Sequence, residues 1–370
     1  MLFQQIKYFP SLNSLRFFAA SFVLIGHAES LRAARNIEGN LHDYSFFNNG
    51  QNAVLFFFVL SGFLITYLLL KEQKETKTIS IKTFYLKRVR RIWPLYFLLV
   101  LIGCLVQPMI IEWLHLPYKM PYTFQETWYY FVFFLPGIVN VLYGNHLLEP
   151  LWSIGVEEVF YLIWAPLVKF LKNHILTLLL SVIGIKLFLL ALLDFSPKGS
   201  FNFIVVHLIR SMKFEAMAIG GLGAYLVFHK GKELVESRLF HTSVQVLVGG
   251  IVIWFLFNHK WIDDLTNFDK VFFGTTVKSL FFVYIILQCS MIPRKKRFLE
   301  NRITNYLGEI SYGIYMFHLL VATLLVDFFA SKTIVNPLVN GSVFYLTVFG
   351  FTIGISALSK RYFESWFMKK

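Results

Sequence analysis

Apolar residues run along this chain in blocks of about twenty, with the polar residues gathered between them. A helix crossing a bilayer needs about 20 mostly apolar residues. By that rule the pattern predicts spans near 12–31, 52–70, 92–112, 152–168, 174–193, 209–228, 242–258, 272–289, 306–326 and 340–358. One further apolar stretch, Trp128 to Leu142, holds 15 residues and is interrupted by Pro136-Gly137. The first block ends in His27-Ala28-Glu29 with no small-x-small cleavage site, so it is expected to remain as a span.

Composition agrees with this pattern. Of 370 residues, 56% are hydrophobic and 15% are charged, and mean hydropathy is +0.60. Soluble domains carry about 25% charged residues, so a soluble enzyme, a disordered chain and a disulfide scaffold are all excluded. Cys104 and Cys289 both lie in apolar runs, which leaves no disulfide framework or thiolate metal site; no metal is expected. The net charge of +14 reads as cytoplasmic-loop bias rather than nucleic-acid binding.

The charges also set the topology. With a cytoplasmic N-terminus and Trp128–Leu142 not crossing, the inner loops collect 23 Lys and Arg and the outer loops 7. If that segment crossed, the later clusters would change sides and the bias would vanish. The expectation is therefore an all-α, multi-pass integral membrane protein. A single domain over 1–370 would form one bundle of about ten transmembrane helices, with both termini cytoplasmic. Segment 128–142 would be re-entrant or interfacial, buried in protein or lining a cavity.

Ionisable groups inside such spans cost roughly 2.5–3.5 kcal/mol each on insertion scales and mark candidate chemistry. Arg16 and His27 are eleven positions apart; at 100° per residue they share one helix face, about 16 Å apart along the axis. Ser61-Gly62 falls within the second span. Arg88 and Arg91 precede the third. The run Leu151-Trp-Ser-Ile-Gly-Val-Glu-Glu-Val-Phe-Tyr161 opens the next, and Ile310-Ser-Tyr-Gly-Ile-Tyr-Met-Phe-His318 lies near the C-terminus.

In that order and spacing, from about Ser11 to Glu364, the chain resembles the acyltransferase family 3 membrane proteins, which acylate bacterial surface and secreted glycans. The motifs that carry the likeness are Arg-x10-His at Arg16 and His27, Phe-Phe-Val-Leu-Ser-Gly-Phe-Leu-Ile from Phe57, and Trp-Ser-x-x-Val-Glu-Glu-x-Phe-Tyr from Trp152. The family's Arg-x-x-Arg matches Arg88 and Arg91, and its later arginine followed by Phe and Gly matches Arg210, Phe214 and Gly220. At the C-terminus Ser365-Trp366 replaces the family's usual Lys-Pro.

The resemblance implies an acyl-CoA donor, usually acetyl-CoA, and a glycan or lipid-linked saccharide as acceptor. Acyl transfer to a hydroxyl needs a general base and a stabiliser for the carbonyl oxygen. His27 fits the base, since imidazole exchanges a proton near neutral pH, and Ser61 is a candidate oxyanion donor, although a Ser-Gly pair also permits close helix packing. Arg88, Arg91 and Arg16 are the candidate donor-binding groups, because guanidinium pairs bidentately with phosphate, and Arg16, on the face of His27, is also a candidate for the catalytic set. Arg88 and Arg91 can equally be topology anchors. Glu157 and Glu158 sit on neighbouring faces; one is expected to orient or balance His27 or Arg210, and the resemblance favours Glu158 for catalysis. Arg210, Glu157, His318 and Tyr315 are the candidate substrate-binding groups, with His318 also readable as a satisfied core histidine.

Some features read more plainly. Gly220-Gly221-Leu-Gly223 reads as close helix contact, and Arg294–Arg297 as an anchor against anionic lipid. Lys186 and Lys278 are expected to face the bundle, with partners the sequence does not reveal. A rival reading is a transporter using His27, Arg210 and Glu158 as a relay, against which stands the lack of an inverted repeat. A scaffold would leave the intramembrane charges unexplained. The acceptor, the acyl group and the oligomeric state stay open at this stage.

Overall fold

The structure, a computed structural model, describes residues 3–6, 9–113, 120–144, 146–197, 199, 201–258, 272–291, 299–330 and 336–368. Regular structure among the described residues is entirely helical. In chain order the helices are α1 Pro10–Ala34, α2 Gly50–Thr76, α3 Ile81–Leu101, α4 Gln107–Trp113, α5 Phe124–Val132, α6 Pro136–Tyr143, α7 Leu151–Phe170 and α8 Ile175–Phe195. There follow α9 Phe203–Ser211, α10 Phe214–Glu236, α11 Thr242–Phe257, α12 Lys278–Met291, α13 Arg302–Glu309, α14 Ser311–Ala330 and α15 Pro337–Leu358. Wider π turns join α3 to α4, precede α12 and extend α15.

Among the described residues, seven helical stretches are long and apolar enough to cross a membrane: Gly50–Thr76, Ile81–Trp113, Leu151–Phe170, Ile175–Phe195, Phe272–Met291, Ser311–Ala330 and Val339–Met368. These match seven of the predicted spans, and the protein is an all-α multi-pass membrane protein. Of the other three, α1 reaches 25 residues but carries Arg16, Glu29 and Arg32, and α11 is only 16 residues long.

The third, predicted as one span over 209–228, is broken. Helix α9 ends at Ser211 and α10 begins at Phe214, so Arg210 sits on the short helix before the break. Backbone at such a break must find partners inside the protein. Lys186, reaching across from α8, supplies them: its ammonium donates to the carbonyls of Ile209 and Met212. The same ammonium lies 3.8 Å from the buried Glu215 carboxylate. Lys278 donates to Asn52 Oδ1 at 2.7 Å. Both lysines therefore face the bundle.

Close backbone contact sets the centre of the fold. A Cβ on Gly62 would lie 1.9 Å from the carbonyl oxygen of Met217, and one on Gly220 would lie 1.9 Å from that of Val59. Glycine at both positions lets α2 and α10 cross backbone to backbone. The expected close contact at Gly220 is there. Helix α1 packs against α2, α13 and α14, with Gly308 seated on the Asn13 carbonyl.

Segment 128–142 does not form a crossing helix. Helices α5 and α6, nine and eight residues long, reverse at Phe134, which holds a left-handed backbone (φ 57°). The Phe134 ring stacks on Tyr96 at 4.6 Å, and its carbonyl abuts Gly155 of α7. The loop after α6 is pinned by His146, whose Nε2 meets Asn140 Oδ1 at 2.8 Å while Nδ1 accepts from the Leu148 N–H at 3.2 Å. Burial pushes this imidazole down to about 4, so it is neutral at physiological pH.

Arg32, just past the first predicted span, is in the last turn of α1 and buried. It pairs with Glu29 at 2.6 Å, and Glu29 also accepts from Tyr345 and the Leu41 N–H. Arg294–Arg297 lies outside the described residues.

Candidate active site

A cavity of ≈310 Å³ opens between α1, α2, α3, α7 and α14. Its apolar walls include Phe9, Phe57, Phe58 and Leu64. Its polar side is assembled by helical spacing. Asn13 and Arg16 are one turn apart on α1, and the guanidinium donates to Asn13 Oδ1 at 3.2 Å. Arg88 and Arg91 stand in the same i, i+3 relation on α3, and Glu157 and Tyr161 are i, i+4 on α7; all four line the cavity. The Tyr161 hydroxyl donates to Glu157 Oε2 at 2.6 Å. Ser61 of α2 makes a short hydrogen bond to the same hydroxyl.

Three guanidiniums thus face one carboxylate. Among the described residues none of the three makes an ion pair within 4.0 Å. The Arg88 guanidinium lies 5.6 Å from the ring centres of both Phe84 and Tyr161, and its Nε is buried without a hydrogen-bond partner. Leaving a buried donor unsatisfied costs about 1–3 kcal/mol. The cavity is therefore built to receive an anion, and guanidinium geometry suits phosphate or carboxylate oxygens.

Beside Tyr315, which lines the cavity, stand two histidines. His27 Nδ1 lies 3.1 Å from the Val23 carbonyl and 3.2 Å from His318 Nε2. His318 is fully buried, and its Nδ1 bonds the Tyr315 carbonyl at 2.5 Å. Neither histidine lines the cavity wall. Tyr315 does, and its ring is 5.7 Å from that of His318. Its hydroxyl donates to the Pro150 carbonyl at 3.0 Å and bonds Ser153 Oγ at 2.7 Å.

The structure therefore brings Arg16, Arg88, Arg91, Glu157, Ser61 and Tyr315 to one cavity, and sets His318 and His27 behind Tyr315. It separates the rest. Glu158 faces away, accepting from Trp93 Nε1 at 3.0 Å, so the carboxylate on the cavity is Glu157 rather than the one the resemblance favoured. Arg210 pairs with Asp194 at 2.9 Å on the edge of α9. The His27–Arg210–Glu158 relay is thus not assembled. With Tyr161 donating to Glu157, the Ser61 proton points at Tyr161, which differs from the free oxyanion donor expected of it.

Two partners were missed in the sequence. Tyr161 was legible as i+4 from Glu157. The His27–His318 pair, 291 positions apart, left no local signal. No group of three or more His, Cys, Asp or Glu among the described residues could hold a metal ion.

Residues 9–361 match the family described as an acyltransferase domain. The chain belongs to that acyltransferase family. It is 24% identical over 392 residues to the "Putative O-acetyltransferase SACOL0978" of Staphylococcus aureus (strain COL), covering 100% of this chain and 58% of that protein. It is also 24% identical over 327 residues to the O-acetyltransferase OatA of Staphylococcus aureus (strain NCTC 8325 / PS 47), covering 84% of this chain and 50% of that one. The chain therefore spans about half to three-fifths of these relatives' length. No solved structure matches it.

Proposed function

We propose that this acyltransferase-family protein is a membrane O-acyltransferase. It takes an acyl group, acetyl by the names of its relatives, from cytoplasmic acyl-CoA and passes it to a hydroxyl of a cell-surface or secreted glycan or a lipid-linked saccharide. The observation that carries the reading is the cavity with three arginines free of carboxylate partners among the described residues, with a histidine pair behind its Tyr315 wall. Small-molecule sites run from about 300 to 1,000 Å³, so a ≈310 Å³ cavity suits the acyl arm of the donor with its phosphates toward the mouth. Arg16, Arg88 and Arg91 would hold the phosphates, and Glu157, held by Tyr161, would offset part of the repulsion among the three guanidiniums.

His27 acts as the general base. Its free ring nitrogen takes the acceptor hydroxyl proton as the oxygen–acyl bond forms and the thioester C–S bond breaks; the same proton then passes to the departing thiolate. The 23-to-7 distribution of Lys and Arg supports about ten spans in a bacterial inner membrane with both termini cytoplasmic, which puts the arginine-rich loop on the side where acyl-CoA is made.

The test is thioester turnover by the purified chain in nanodiscs, with labelled acetyl-CoA and a soluble saccharide acceptor. Acceptor-dependent release of free thiol with label on the saccharide supports the reading. Binding of acetyl-CoA with no transfer to any acceptor class overturns it. Mass spectrometry of surface glycans from a deletion strain would identify the acceptor.

A further inference from the structure

The hydrogen bonds around the two histidines settle which nitrogen carries each proton. A carbonyl oxygen only accepts, so His318 Nδ1, at 2.5 Å from the Tyr315 carbonyl, bears hydrogen. A neutral imidazole has one donor and one acceptor nitrogen, so His318 Nε2 holds a lone pair. His27 Nδ1 faces that lone pair at 3.2 Å and the Val23 carbonyl at 3.1 Å. Both neighbours accept, so His27 Nδ1 bears hydrogen too. Its Nε2 is left with the lone pair, on a ring that is only half-buried, and no described residue bonds it.

We infer that His318 is a positioning residue for acyl transfer, holding His27 in the Nδ1–H form with Nε2 free to receive the acceptor hydroxyl proton. The inference rests on the reading of His27 as base. When Nε2 takes that proton, the Nδ1–H donated to His318 becomes a charge-assisted bond, roughly twice as strong as a neutral one. The Val23 carbonyl is one turn back on the same helix and cannot stop the ring from swinging. His318 comes from α14 and fixes it from a second direction. A carboxylate commonly fills this supporting place in acyl-transfer sites; here a buried, neutral imidazole fills it, which avoids placing a second charge in the bundle.

Two measurements test this on the full chain in nanodiscs. The first is nitrogen NMR of histidine-labelled protein, with signals assigned by their loss in His27→Gln and His318→Gln. It should show His27 neutral and protonated at Nδ1, the form free imidazole disfavours in water. A His27 protonated at Nε2 overturns the proposal, and this readout needs no activity. The second is kinetic. His318→Phe, which keeps a ring but removes the acceptor, should lower kcat ~10- to 100-fold, the usual effect of losing a partner that orients a functional histidine, with the KM for acetyl-CoA unchanged. His318→Gln, whose amide oxygen accepts, should restore most of the rate. Parental kcat in His318→Phe also overturns the proposal. If His318→Phe fails to insert, the parental NMR spectrum and His318→Gln decide. Failure of the base reading looks different: His27→Gln would then transfer acyl groups at the parental rate whatever the tautomer.

Discussion

The arginines of the cavity and the arginine of α9 differ in what already neutralises them. Arg88 and Arg91 have no carboxylate at salt-bridge distance among the described residues, whereas Arg210 has Asp194 at 2.9 Å. Arg88→Ala or Arg91→Ala should therefore weaken acetyl-CoA binding by about 1.5–3 kcal/mol, or ~10- to 100-fold, as expected for a lost charge-assisted bond. Arg210→Ala should leave binding unchanged. Titration calorimetry on inserted protein checks both; equal affinity in all three variants would make the cavity arginines topology anchors. For His27→Gln, binding should persist while transfer falls by ~10² to 10⁴, the contribution of a positioned general base. The two carboxylates should part company as well, with Glu157→Gln altering donor affinity and Glu158→Gln, which still accepts from Trp93, leaving it intact.

At the level of helices, glycines distinguish contact from exposure. Gly220→Ala would push a methyl into the Val59 carbonyl, whereas Gly250 on α11 has nothing within 4 Å. Overpacking costs about 1–3 kcal/mol where neighbours can yield, and backbone yields least. Thermal unfolding in detergent should show Gly220→Ala strongly destabilised and Gly250→Ala unchanged. The loop after α6 carries a pH dependence. His146 is held neutral at about 4 in the folded protein, against about 6.5 when free. Between those values only the detached loop binds the proton. Its anchoring is complete above about 6.5 and loses about 3 kcal/mol as pH falls to about 4. Protection factors in residues 120–148, taken as exchange relative to the intrinsic amide rate at each pH, should fall from pH 7.5 to pH 5 in the parent. That pH dependence should be absent from His146→Gln.

Over the whole molecule the open question is orientation. Cysteine labelling should find Tyr143→Cys reactive only from outside the cell and Lys172→Cys only from the cytoplasm, given ten spans. Labelling of position 143 from the cytoplasm would reverse everything after it. The sequence by itself determined the class of fold and most of the spans. Burial in lipid is written locally, as about twenty apolar residues and then a charged loop. It also supplied Arg16 and Glu157 as candidates, since an ion within an apolar run stands out by its cost alone, and Arg88 and Arg91 through the Arg-x-x-Arg ahead of the third span. Only tertiary structure decided that Glu157 rather than Glu158 faces the cavity, because the 100° between consecutive residues says they differ without saying which neighbour each meets. The broken span at Met212 was hidden for a related reason: apolar character continues through the break, and the lysine that satisfies its carbonyls comes from α8. The His27–His318 pair depends on how α1 and α14 lie side by side. Helical periodicity fixes which residues share a face, but the pairing of faces comes from close packing between helices, here set by glycines such as Gly308 against Asn13.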